Sequence, residues 1–116
     1  MDLITLAYDT LIPLGYPTIW QERPTTFPGI TYHFFGESGE LYGDGNIQNE
    51  SVSCQIDIWV EKNANTVSDY NRIKKEVKSA MKEAGFLFSS ATDSYEDEVK
   101  LYHCVLIFNF YYESEE

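Results

Sequence analysis

The side chains best suited to nucleophilic or metal chemistry are few: His33, His103, Cys54 and Cys104. Nucleophilic catalysis needs a base beside the nucleophile and a third group to orient that base. His103 and Cys104 are adjacent in sequence, but neighbours on a strand point to opposite faces of a sheet, so they cannot form such a pair. Both histidines fall in mid-strand, where a side chain hydrogen-bonded in the sheet layer is the commoner role. They could meet across strands and recruit a carboxylate as a third metal ligand, yet no HxH or HExxH spacing supports this. The cysteines lie among apolar neighbours inside predicted strands, which favours two buried thiols over a bridge. Without a CxxC pair, neither a zinc site nor a thiol-disulfide redox centre is indicated.

Glycine-rich segments offer no phosphate cradle. Gly36 and Gly39, like Gly43 and Gly45, lack a following Lys-Ser/Thr and a strand-to-helix context, and acids surround them. Glu37, Glu40 and Asp44 could hold a hard cation, but the calcium-loop spacing is missing. The sequence therefore predicts no catalytic residue, no cofactor and no metal site, and a chain that is not an enzyme.

A chain of 116 residues suits one domain with a core of its own. Nineteen acidic and eight basic side chains give a formal net charge of −11, which disfavours binding to phosphate backbones and anionic lipid. The basic cluster Arg72, Lys74, Lys75, Lys78 and Lys82 is interleaved with Glu76 and Glu83, as on a solvated helix face. The start, MDLITLAYDTLIPLG, has no basic leader and carries Asp2 and Asp9, unlike a secretory signal. No apolar run approaches the roughly 18 residues of a spanning helix. A soluble, intracellular protein is the expectation.

Leu3, Leu6, Ala7 and Leu11 recur at helical spacing until Pro13 and Gly15 stop the pattern, predicting a helix from about Leu3 to Ile12. Thr18 to Glu22 reads as an edge or first strand closed by Pro24. Ile30 to Phe35 continues the sheet. Gly36 to Ser51 reads as a long loop or a protruding hairpin arm, flexible in the free chain. Val52 to Val60 alternates strictly, with Val52, Cys54, Ile56, Ile58 and Val60 on one face. Tyr70, Ile73, Val77, Ala80, Met81 and Ala84 form a helical stripe ended by Gly85, and Ser68 can cap it. Phe86 to Phe88 starts a further strand, and Thr92 to Glu98 reads as a polar turn. Leu101 to Tyr112 is apolar on both faces, as expected of a strand at the sheet centre. A short acidic tail, Glu113 to Glu116, follows and is expected to fray. The predicted fold is α+β, a mostly antiparallel sheet of four or five strands with two helices on one face.

The remaining surplus is aromatic, 16% of the residues. Trp59 shares the polar face of its strand with Ser53, Gln55 and Asp57, and Trp20 sits on a short strand beside prolines. Each could cover a second layer of the sheet, or the second face could be an interface, since aromatic clusters mark partner surfaces. Within the arm, Leu41 and Tyr42 are the sizeable anchors. Leu41, Tyr42 and Trp59 are accordingly the candidate partner-binding residues.

The leading helix, Pro17-Thr18-Ile19-Trp20 with Pro24, the glycine-rich acidic stretch, Gln55-Ile56-Asp57-Ile58-Trp59, the helix ending Ala80-Met81 through Gly85-Phe86, and the aromatic last strand together resemble the phage tail-completion and tail-terminator proteins. The resemblance implies a small subunit of a ring, commonly a hexamer, that ends a tail tube and joins it to the head. It implies contacts with the tail tube protein and head-connector proteins, a place in the tail or neck of a virion after assembly in the host cytoplasm, and no reaction. Neither sequence-specific nucleic-acid binding nor membrane binding is part of it. No contact residue of the family can be matched to a position of this chain. A small non-catalytic ligand-binding or regulatory α+β module would share the fold pattern.

If Cys54 and Cys104 are buried free thiols, a thiol reagent will label the native protein slowly and the unfolded protein fully, as read by mass spectrometry.

Overall fold

The computed structural model describes residues 2–42 and 46–113, with the side chains of 38–42, 46–49 and 113 outside the description. The first helix, α1, spans Leu3–Leu11. Asp2 caps it, its carboxylate accepting from the Thr5 backbone N–H at 3.2 Å and the Thr5 hydroxyl at 2.7 Å. One 3₁₀ turn, Ile12–Leu14, carries the chain to Gly15, whose φ of +90° suits glycine and ends the element.

Five strands follow: β1 (Thr18–Trp20), β2 (Gly29–Tyr42), β3 (Asn46–Glu61), β4 (Leu87–Glu96) and β5 (Leu101–Glu113), with helix α2 (Thr66–Glu83) between β3 and β4. They form one sheet in the order β1-β2-β3-β5-β4. The β2/β3, β3/β5 and β5/β4 pairs are antiparallel, and β1 runs parallel to β2. The sheet is thus mixed, with β1 on one edge. The central position belongs to the alternating strand β3, and β5 lies beside it, one strand from the edge. Its apolar content still has a physical cause, because it is flanked on both sides.

Alternation sorts the side chains into two layers. On one face Ile30 and Tyr32 of β2, Val52, Cys54, Ile56, Ile58 and Val60 of β3, and Cys104, Leu106, Phe108 and Phe110 of β5 are buried in a single core with Ala7 and Leu11 of α1 and Ile73, Val77 and Met81 of α2. Both helices therefore cover the same face. Tyr102 and Tyr112, at the ends of the β5 row, are only half-buried. Both cysteines are free and buried in this layer. Burial pushes the Cys54 thiol up to about 12 and the Cys104 thiol up to about 11, so neither is a thiolate at neutral pH.

Helix α2 begins at Thr66, one turn before the apolar stripe. Its N-cap, Asn65, makes no side-chain capping bond, and Ser68 donates to the Asn65 carbonyl instead of capping. The buried Thr66 hydroxyl fastens this entry, donating to the Glu61 and Asn63 carbonyls and accepting from the Asn63 N–H. The exit is a paired reverse bond: Phe86 N–H to Met81 O at 3.0 Å and Gly85 N–H to Lys82 O at 3.1 Å, with Gly85 at φ +104°. That geometry delivers Phe86 into the core, its ring 4.8 Å from that of Phe110.

Beyond the helix-covered region β2 and β3 stay paired to Leu41↔Ile47 and Tyr42↔Asn46, with register shifts between Phe35 and Ser38 and between Glu40 and Leu41. The Gly36–Ser51 segment is thus largely strand, and its tip, 43–45, lies outside the described residues, as does the tail 114–116. The polar stretch expected to turn at Thr92 is instead strand to Glu96, and the turn comes after it. Pairing with β5 explains the difference: the sheet's hydrogen bonds hold an edge strand that has little apolar alternation of its own.

Phe108 is fully buried and meets Phe88 edge-on at 5.7 Å. Phe108→Ala is expected to cost about 3–5 kcal/mol in denaturant titration, from lost transfer energy plus a cavity.

Candidate assembly surface

Neither helix covers the other face of the sheet. Cross-strand register arranges it in rows: Trp59 with His103 and Ser94; Thr31 with Asp57, Val105 and Thr92; His33 with Gln55, Ile107 and Ser90; Phe35 with Ser53, Asn109 and Leu87; and Ser51 with Tyr111. Polar side chains pair within this layer. Ser53 donates to Asn109 Oδ1 at 2.8 Å, and Gln55 Nε2 donates to Asp57 Oδ1 at 2.8 Å. Towards β4 and the arm the apolar groups lie open: Phe35 is 42%, Leu87 58% and Tyr111 61% exposed.

One end of this face is closed by the chain itself. The segment from Gln21 to Pro28 crosses over it and sets the Arg23 guanidinium 4.7 Å above the Trp59 ring. Trp59 in turn stacks on His103 at 3.8 Å and 10° between planes. Arg23 reaches on to Glu96 of β4 at 3.0 Å, tying the segment after β1 to the opposite edge of the sheet. The surface pair contributes little by itself, but the cation over an aromatic ring adds about 0.5–1 kcal/mol at a partly open site. His103 Nε2 lies 3.4 Å from Asp57 Oδ2, an ion-pair distance without hydrogen-bond geometry. Gly29 makes the close approach possible, since a Cβ there would sit 2.6 Å from the Thr26 carbonyl and 2.7 Å from Pro24 Cβ.

On the helix side a groove of about 580 Å³ opens between the first turns of α2 and the β4/β5 pair, lined by Lys62, Thr66, Tyr70, Asp93, Tyr95 and Tyr102 among others. The Tyr70 hydroxyl donates to Asp93, and Lys74 Nζ lies 3.4 Å from the same carboxylate. Burial, and then this bond to an anion, pushes the Tyr70 phenol well above its ordinary value. The hydrogen bond from Tyr70 is the chief reason that Asp93 is held below the ordinary carboxylate value.

No family model and no curated protein matches the sequence. Among solved structures the fold recurs. One matching chain, from the virion of a native gene transfer agent particle, aligns over 93% of this chain and 92% of its own length with a TM-score of 0.57 at 12% identity. At that identity the likeness is one of fold.

The residues singled out in the sequence are not brought together. Trp59 is 7% exposed, at the closed end of the open face. Leu41 and Tyr42 lie at the opposite end, at the last paired positions of β2, and their side chains are outside the described residues. Trp20, 43% exposed, is on the edge strand. His33 and His103 occupy rows separated by the Thr31/Asp57/Val105 row, on strands that are not neighbours. Among the described residues no cluster of three His, Cys, Asp or Glu side chains is placed to hold a metal, and no helix is long and apolar enough to cross a membrane. Sequence reasoning missed Arg23, because nothing in a proline-flanked polar run signals that its one cation will lie over an indole. It also missed Tyr70 and Asp93 as a pair, since the strand position of Asp93 was not legible.

Asp93 gives the site a pH dependence of known sign. Its folded-state pKa lies below the ordinary 3.8, so its stabilising contribution is complete above that value and is lost as pH falls through the folded one. Its side chain is 58% exposed, which screens the effect. Asp93→Asn is therefore expected to lower stability by no more than about 1 kcal/mol near neutral pH, with the difference from wild type shrinking as pH falls below 3.8 in paired denaturant titrations.

Proposed function

We propose that this protein is a structural subunit of a tailed phage or prophage particle, a tail-completion or tail-terminator subunit that assembles into a ring and joins head to tail. The observation that carries the reading is the near end-to-end fold likeness to a chain of a gene transfer agent virion. It agrees with the sequence resemblance, which rests on the order of the elements and on the Gln55 to Trp59 and Gly85-Phe86 junctions. The surface is suited to such a role: an open sheet face with exposed Phe35, Leu87 and Tyr111, and a β2/β3 extension beyond the helix-covered core. The acidic balance suits a conduit for a polyanion, which a repulsive wall does not trap. In this role the protein works with tail tube and head-connector proteins in the tail or neck; Leu41 and Tyr42 remain its candidate contact residues, and Trp59 would act from beneath Arg23, which covers its ring. The role is architectural and calls for no reaction.

A second reading, a small non-catalytic ligand-binding module, draws on the groove beside Tyr70 and Tyr95, whose volume falls in the range of small-molecule sites. The two readings separate on assembly state. Electron microscopy and light scattering of the purified protein are expected to show closed rings. Replacing residues 38–49 by a tight turn is expected to leave the circular dichroism and cooperative unfolding of the core in place while abolishing the rings. A shortened variant that still closes rings would show the extension to be dispensable for assembly.

A further inference from the structure

The sheet carries two long edges whose backbone groups have no partner among the described residues. One is the outer side of β4, Leu87 to Glu96, which pairs only with β5. The other is the outer side of β2 beyond Tyr32, because β1 covers only Ile30, Thr31 and Tyr32. From His33 to Tyr42 this second edge has the same length as β4. An unpaired edge of this length is normally blunted by proline, lysine or a covering element. β4 has no proline and no lysine, its register shifts only between Phe88 and Ser90 near its start, and it is exposed over nearly its whole length.

The two edges match in direction and charge. Three antiparallel pairings separate β2 from β4, so the strands run in opposite senses within one chain. If a second copy is placed beside the first with its sheet in the same sense, its β2 therefore meets β4 antiparallel, the more favourable pairing. The acids of β4 itself, Asp93 and Glu96, are paired within the chain with Lys74 and Arg23, and along the strand on the helix side stand two further lysines, Lys78 with its Nζ 4.2 Å above the Phe88 ring and Lys62 with its Nζ 5.7 Å from the Tyr95 ring. The segment from Gly36 to Ser51 contains Glu37, Glu40, Asp44 and Glu50 and no basic residue.

We propose that the β2 edge of the extension adds as a strand to the β4 edge of a neighbouring copy, so that the sheets of successive subunits join through an antiparallel seam flanked by lysines on one side and carboxylates on the other. The contact uses two different patches, the heterologous arrangement that closes into rings. Backbone hydrogen bonds supply its affinity, and the uniformly acidic 36–51 segment opposes the like pairing of two extensions. This rests on the ring reading above and specifies its interface.

Disulfide trapping in the full-length chain tests it, since the native cysteines are buried. Cα atoms across an antiparallel pair lie about 4.5–5.5 Å apart, within disulfide reach. Phe35→Cys, Ser38→Cys and Glu40→Cys, at register positions matching the open face, are each combined with Ser90→Cys or Thr92→Cys on β4 and oxidised. The expected result is that at least one combination gives a ladder of covalent multimers ending at the ring size, while the single-cysteine variants give none. In the wild type, amide exchange of residues 87–96 is expected to slow on assembly. Covalent dimers from Ser90→Cys alone would show β4 pairing with itself and overturn the proposal. Rings seen by light scattering with no cross-link in any combination would overturn the seam and leave the ring reading standing. A wild-type chain that is monomeric at every accessible concentration would overturn the ring reading, and the seam with it.

Discussion

The interlock between one face of β3 and β5 and the apolar stripe of α2 is the constraint on which the rest of the molecule depends. Cys54, Ile56, Ile58, Leu106 and Phe108 are wholly buried against Ile73, Val77 and Met81. Dense packing of this kind fixes strand register, because a slip of one residue would turn every core side chain towards water. With register fixed, the opposite face inherits its rows, and Trp59 must lie beside His103. The glycine at the end of α2 serves the same constraint, since the reverse bonds around Gly85 direct Phe86 inward.

How much of this was legible in the sequence follows from how local each cause is. The strict alternation from Val52 to Val60 and the stripe from Tyr70 to Ala84 announce elements that bury one face, and their positions hold. The end of α2 was readable because Gly85 is a local signal. Its beginning was not, because the Thr66 hydroxyl bonds back to Glu61 and Asn63 in an arrangement with no capping-box pattern. The extent of β4 was hidden for a different reason. Both faces of an exposed edge strand meet water, so Ser89 to Glu96 has little periodicity, and only the ladder to β5 makes it a strand. The parallel pairing of β1 depends on a path of the chain that periodicity does not encode.

The surface was less legible than the core. Aromatic content pointed to Trp59, yet that ring is enclosed between His103 and Arg23, while Phe35, Leu87 and Tyr111 are the groups that face outward. Burial of a side chain on a sheet face is decided by whatever segment crosses over it, here Gln21 to Pro28, and such crossings are long-range events. The fold likeness to a virion chain at 12% identity illustrates the same point from the other side: a layer pattern persists where few individual residues do.

The crossing segment also makes the sheet mechanically unequal along its length. At one end Arg23 spans from the β1 side to Glu96 on the far edge, with Gly29 seated under Pro24 and Thr26, so strands there cannot fan apart without breaking a cross-tie. At the other end, beyond Phe35, the tie is shorter: the Tyr112 hydroxyl of β5 donates to Glu37 of β2 at 3.0 Å, across β3 alone, and the register of β2 already shifts twice. Sheet twist is a soft degree of freedom unless something spans the strands. Bending imposed on this protein will therefore be absorbed more readily where β2 shifts register, just beyond Phe35, than at the end where Arg23 reaches the far edge.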